Sequence, residues 1–136
     1  MGRIVIALVV AAAAIAVCAP NAAARVSAFK SPTGNIICVL DTTLVRSDIR
    51  RRAWSPPPKP RSCPVDYGQG LTVDRRGRGR FVCAGDAVVD ATRTAAYGSL
   101  VRRGRFACRV RVSGVRCLNA RSRHGFALSR QGYRRF

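Results

Sequence analysis

Two cysteines nine positions apart, Cys108 and Cys117, bracket a stretch in which apolar and basic residues alternate, and this limits the fold more than any other feature of the chain. The alternation through Ala107, Arg109, Val110, Arg111 and Val112 has the period of two that marks a half-buried strand, and Ser113-Gly114 supplies turn residues before Val115. If the chain reverses around Val112 and Ser113, the two cysteines fall opposite each other. Directly opposed Cβ atoms lie within disulfide reach. The spacing therefore predicts a disulfide-clipped β-hairpin.

Such a clip requires an oxidising compartment, and the start of the chain agrees with one. Met1-Gly2-Arg3 is a short basic segment, and Ile4 to Val17 is an unbroken apolar run of signal-peptide length. A bilayer span needs about twenty apolar residues, and Asn21 with Arg25 ends this run early. Residues 1–24 are predicted to be a signal peptide cleaved after Ala22-Ala23-Ala24, leaving residues 25–136 as a single secreted β-rich domain. Cys18 follows Val17 and not the small residue that precedes a lipidated cysteine, so it is read as lost with the signal. The expected location is extracellular or in the cell envelope.

Five cysteines remain, Cys38, Cys63, Cys83, Cys108 and Cys117, and in an exported chain they predict structural disulfides. Cys38 to Ser47 superposes without gaps on Cys108 to Cys117, and both segments reach their last residue through Val-Arg. The first copy carries Ser47 where the second carries its closing cysteine. It reads as a hairpin whose clip has lost one sulfur, leaving Cys38 as an unpaired thiol open to a disulfide-linked dimer. Phe81-Val82-Cys83 repeats the Phe-x-Cys of Phe106-Ala107-Cys108, and by elimination Cys63 pairs with Cys83. Loop closure alone is worth about 2.7 kcal/mol for Cys108–Cys117 and about 3.3 kcal/mol for Cys63–Cys83.

Trp54-Ser55-Pro56-Pro57-Pro58-Lys59-Pro60 must run extended, because proline lacks the N–H that a central strand or helix needs. It is read as a rigid crossover with Trp54 packed beneath it. Gly85 to Ala96 has only a weak helical leaning and is read as loop. The terminal Phe136 is expected to dock into the core. The fold class that follows is all-β: a small single domain of short antiparallel strands and hairpins, disulfide-stapled, with a Pro-rich extended crossover.

Composition narrows the chemistry. The chain has one histidine, no glutamate and six aspartates, so any acid–base scheme must use His124 or an aspartate such as Asp66 or Asp86. A Cys38/His124 nucleophile pair can be drawn, but no spacing brings the two together. Cys-x-x-Cys is absent, one histidine with oxidised cysteines cannot fill a zinc site, and Arg78-Gly79-Arg80 lacks the Lys-Ser/Thr and helix of a phosphate loop. No catalytic residue and no cofactor is assigned.

Charge is the remaining signal. With 25 Lys and Arg against 6 Asp and Glu, the formal net charge is +19. Such a field attracts polyanions, for an exported protein the phosphate polymers of an envelope or anionic lipid head groups. Arginine-rich composition alone produces the same charge, so a site must be sought in particular residues. The candidates are Arg75, Arg76, Arg78 and Arg80 in one Gly-rich turn, with Arg102, Arg103 and Arg105 before the clipped hairpin. The function expected is that of a non-enzymatic binding or structural envelope protein. The alternative, a basic effector acting on anionic membranes, requires an amphipathic helix that the sequence lacks.

From Phe29 to Phe136 the chain resembles a family of small exported actinobacterial proteins classed only as a domain of unknown function. The residues that carry the resemblance are Ser31-Pro32-Thr33-Gly34-Asn35-Ile36 with Cys38, Arg46-Ser47-Asp48-Ile49, Trp54-Ser55-Pro56-Pro57-Pro58 and Cys63-Pro64. They continue through Asp66-Tyr67-Gly68-Gln69-Gly70-Leu71, Phe81-Val82-Cys83-Ala84-Gly85-Asp86, Ser113-Gly114-Val115-Arg116-Cys117 and His124-Gly125-Phe126. The family pattern has Cys where this chain has Ser47 and Gly where it has Arg123. The resemblance implies no reaction and no cofactor.

Overall fold

The computed structural model describes Gly2, residues 26–88 and residues 90–136. The expected cleavage site and Cys18 lie outside the described residues. Ten strands follow one another: β1 (Ser27–Lys30), β2 (Ile36–Leu40), β3 (Leu44–Ile49), β4 (Tyr67–Asp74), β5 (Arg80–Cys83), β6 (Leu100–Arg103), β7 (Phe106–Arg111), β8 (Gly114–Asn119), β9 (Gly125–Leu128) and β10 (Tyr133–Arg135). Each pairs antiparallel with its sequence neighbour, giving one sheet in the order β1 to β5 and a second in the order β6 to β10. Among the described residues there is no helix, and thus none that is long and apolar enough to cross a membrane. The fold is all-β, with Cys108–Cys117 bridged as its spacing predicts and Cys63–Cys83 as elimination left it.

The period-2 pattern decides what each sheet buries. In β3, Val45, Ser47 and Ile49 turn inward while Arg46 faces out, and in β7 Phe106, Cys108 and Val110 turn inward between more exposed neighbours. Phe29, Leu40, Val45, Leu71 and Val73 of the first sheet meet Phe106, Val110, Val115, Phe126 and Leu128 of the second in one core. Each side chain fully buried there contributes roughly 1.5–3 kcal/mol.

The repeat seen in two hairpins extends through the whole fold. Across the first sheet, Phe29, Cys38, Ser47, Leu71 and Phe81 stand in one row of direct partners. Across the second, Val101, Cys108, Cys117, Phe126 and Arg135 form the matching row. Even a steric detail recurs: a Cβ on Gly70 would collide with the Ser47 carbonyl oxygen, and one on the matching Gly125 would collide with that of Cys117.

The matching strands run in opposite directions. The Asn119 side chain donates to the Asp74 and Arg75 carbonyls, so the Asn119 end of β8 lies on the Asp74 end of β4. One end of the sandwich thus carries the turns β2–β3, β4–β5, β6–β7 and β8–β9. The other carries the β1–β2 and β3–β4 connections and the turns β7–β8 and β9–β10.

After β3 the chain crosses between the sheets at this second end. Ala53 N–H donates to the Arg130 carbonyl and Trp54 Nε1–H to the Ser129 carbonyl. Trp54 is half-buried against Phe81 and Tyr133, and Pro56 then lies where a Cβ on Gly68 would be, at 2.6 Å. The Pro-rich crossover takes the extended course expected of it, with Pro57 to Pro60 exposed. The described residues between 84 and 95 run without helix over the outer face of the first sheet, where Val88 N–H donates to the buried Asp48 that Arg46 also holds.

Two local expectations change. The β7–β8 reversal falls at Val112-Ser113 as the cysteine spacing requires, but Gly114 leaves the turn for β8, where it pairs with Arg111. Phe136 does not enter the core: its backbone pairs with Gly125, and its ring lies on the outer face of the second sheet between Arg116 and Arg134. The inward positions at that edge are already filled by Phe81, Trp54 and Tyr133.

Candidate functional site

The seven arginines singled out in the sequence come from two turns that the fold brings to the same end. Asp74 organises the first. Its carboxylate accepts from the N–H groups of Gly77 and Arg76 and from Arg80, which together pull its pKa down to about 2. Arg75 reaches sideways to donate to the Thr42 carbonyl. Thr42 also lies against the second turn, 3.7 Å from where a Cβ on Gly104 would be, and Ala120 N–H donates to the Arg105 carbonyl.

The arginines are unequal in what they can offer. Arg76 and Arg78 are exposed, with no side-chain ion pair among the described residues, and Arg75 is exposed beside them. Arg80 is engaged by Asp74 at 2.7 Å. Arg102 points outward from β6, whereas Arg103 turns inward next to the core and keeps its Nε buried without a partner. The β8–β9 loop adds exposed Arg121 and Arg123 to this end, which sequence distance had hidden. Arg123 has φ 67°, a left-handed conformation that glycine adopts at less cost than a residue with a side chain.

Asn119 holds this end together, and no pattern in the sequence marked it. It is fully buried, donates across to the first sheet, and accepts from the N–H groups of Arg121 and Ser122. A buried asparagine with every group bonded fixes two loops against each other. The signal available was its position, at a strand end followed by small and polar residues.

The cysteines occupy the middle of the core. Cys38 and Ser47 are direct partners with sulfur and oxygen 2.9 Å apart, and Ser47 Oγ is 3.6 Å from Cys117 Sγ. Cys38 has no exposed surface, and burial pushes its thiol up to about 12, against a smaller lowering by Ser47. A Cys38-linked dimer is therefore corrected: the sulfur lies between two sheets and cannot meet another chain unless they part. Its side-chain partner is Ser47, whereas His124 sits in the β8–β9 loop with its N–H on Ser122. Among the described residues no three of His, Cys, Asp and Glu gather as metal ligands.

At the other end, arginines the sequence had left scattered converge on a cleft, lined by Arg50, Arg51, Arg111 and Arg130. Ser31, Thr33 to Ile36 and Ser113-Gly114 border it.

Residues 6–136 match the profile of DUF6636, a family of unknown function. The chain belongs to that family. The DUF6636 match includes the whole span over which the sequence resembled such a family and reaches back to Ile6. No curated protein and no solved structure matches the chain. A function for this DUF6636 protein must accordingly be argued from its own residues.

Proposed function

We propose that this protein is an exported, non-enzymatic binding protein of the extracellular space or cell envelope, and that it holds anionic polymers at the basic end of the sandwich. One observation carries the reading: Arg75, Arg76 and Arg78 share an end with Arg105, distant from them in sequence, and the turns there are tied by Asp74, Thr42 and Asn119. Guanidiniums on rigid turns meet phosphates with little ordering cost, and each adds a charge-assisted hydrogen bond. The two disulfides are compatible with an extracellular location.

Binding to a phosphate polymer releases condensed cations, so its affinity falls with salt in proportion to the phosphates contacted. The test is the salt dependence of binding to long-chain polyphosphate, for wild type and an Arg75/Arg76/Arg78/Arg105→Ser variant. A slope reduced by about one for each arginine that had paired with a phosphate supports the site. An unchanged slope and affinity would leave only diffuse charge.

A further inference from the structure

The two sheets differ on their outer faces. The first is crossed by the chain after β5, where Val88 N–H reaches Asp48 and Asp86 engages Arg46. The second carries arginine without acid, because all six aspartates fall between Asp41 and Asp90 and residues 91–136 contain no Asp or Glu. Those aspartates pair with Lys30, Arg46 and Arg80, and the charges of Arg50 and Arg75 act on Asp90 and Asp41. None of these cations belongs to the second sheet. We propose that the outer face of the second sheet docks on an anionic lipid bilayer, a surface separate from the basic end that takes polymers.

Strand register sets the arginines side by side. Leu100, Arg109, Arg116, Ala127 and Arg134 are successive direct partners from β6 to β10, in a row that alternates with the buried one, and Arg111 stands two residues beyond Arg109 on the same face. Arg111, Arg116 and Arg134 border one open hollow there. The Phe136 ring lies 4.5 Å from the Arg116 guanidinium and 5.4 Å from that of Arg134, and supports both. Arg109 directly opposite Arg116 is a like-charge pairing that destabilises a sheet and that a layer of anions relieves.

The side chains beside the arginines identify the partner. Val112, 83% exposed at the β7–β8 tip, and Tyr97, 47% exposed, border one space with Arg111 and Arg130. Gly98 N–H donates to the Val110 carbonyl and Val110 N–H to that of Ser99, which brings Tyr97 beside Arg111. A hydrated polyanion leaves such apolar surface in water. The boundary between head groups and acyl chains buries it and suits tyrosine in particular, while arginine stems lie along that boundary with their guanidiniums among the phosphates. Adhesion of this kind needs no amphipathic helix, since the sheet itself presents basic and apolar groups together.

The probes are vesicles of phosphatidylcholine alone and of phosphatidylcholine with phosphatidylglycerol in equal parts, sedimented with the chain from Arg25 onward, which contains all ten strands. Binding to the anionic vesicles is expected to be at least about tenfold tighter than to the zwitterionic ones. Arg109→Ser/Arg111→Ser/Arg134→Ser should weaken it at least about tenfold, whereas Arg75→Ser/Arg76→Ser/Arg78→Ser, which removes the same charge from the other surface, should weaken it less than about threefold. Near-UV spectra check that each variant is folded. Val112→Trp places a reporter at the tip, and its emission should shift to the blue on anionic vesicles and be quenched by brominated acyl chains, beyond the response of Trp54 in wild type. Equal affinity for both vesicles, equal losses from the two triple variants, or a tryptophan at 112 that lipid does not quench would overturn the proposal. A sheet-face variant that loses polyphosphate but keeps the vesicles would overturn it in favour of a polymer. Polyphosphate binding by the basic end is read in its own assay, so either proposal can fail alone.

Discussion

Ser47 Oγ lies 3.6 Å from Cys117 Sγ, so the hydroxyl of one sheet touches the disulfide of the other. The side chain stands where the repeat would place a fourth sulfur, since Ser47 faces Cys38 in the register in which Cys117 faces Cys108. Ser47→Cys is therefore expected to oxidise with Cys38. The new bridge closes a loop of the same length as Cys108–Cys117 and should add up to about 2.7 kcal/mol, less any crowding by the disulfide opposite. Denaturation with non-reducing peptide mapping checks this, and a variant that oxidises yet gains nothing would count against the repeat.

The buried thiol makes the protein sensitive to alkali. Its pKa stands at about 12 in the folded chain against an ordinary value of 9.0, chiefly because burial disfavours the thiolate. The unfolded chain loses this proton first, so the stabilisation is complete below pH 9 and is lost as pH rises toward 12. The slope from this one group is about 1.4 kcal/mol per pH unit. Cys38→Ser should remove it, which urea titrations of both proteins between pH 8 and 11 will show.

The disulfides should yield to reductant in a fixed order. Cys83 is exposed, whereas Cys108 and Cys117 are fully buried between the sheets. Under native conditions dithiothreitol is expected to open Cys63–Cys83 first and to reach Cys108–Cys117 only through unfolding. Alkylation followed by peptide mapping over time distinguishes the two, and simultaneous reduction would contradict the order.

Arg123→Gly should stabilise the protein. The residue is the only non-glycine with positive φ among the described residues, and that conformation costs a side-chain-bearing residue about 1 kcal/mol or more. Part of the relief is offset by the greater freedom of glycine in the unfolded chain, leaving a net gain below about 1 kcal/mol. A thermal midpoint lower than that of wild type would refute it.

Asp74→Ala should loosen the basic turn without unfolding the sandwich. The carboxylate lies well below its ordinary value through the N–H groups of Gly77 and Arg76 and then Arg80, so its contribution is present above about pH 4 and fades as pH falls toward 2. Faster amide exchange at Arg76 and Gly77, with little change elsewhere, is the expected result.

What the sequence disclosed was local. Alternation and cysteine spacing identified the clipped hairpin, Phe-x-Cys led to the second bridge, and the prolines fixed the crossover. The partner of each sheet was not legible, because the second half repeats the first by strand register while its residues have diverged, as Phe29 against Val101 and Phe81 against Arg135 show. The arginine turns were visible as composition, but their meeting depends on the buried Asn119, whose bonds span 44 and 45 positions. The cleft was hidden for the same reason, since the segments of Arg51 and Arg130 are joined by the bonds of Ala53 to Arg130 and of Trp54 to Ser129.

Because every strand pairs with its immediate successor within its own sheet, each half assembles from short loop closures apart from the Pro-rich β3–β4 crossover, and such closures lose little chain entropy and favour rapid ordering. The contacts that span the chain are those between the two halves. A single five-stranded half would leave its inner face, with Leu40, Val45 and Leu71 on one or Val110, Val115 and Phe126 on the other, open to water. Neither half is therefore a folding unit in its own right: each sheet is held only when the other covers its inner face, with the Cys38–Ser47 pair seated against the Cys108–Cys117 bridge.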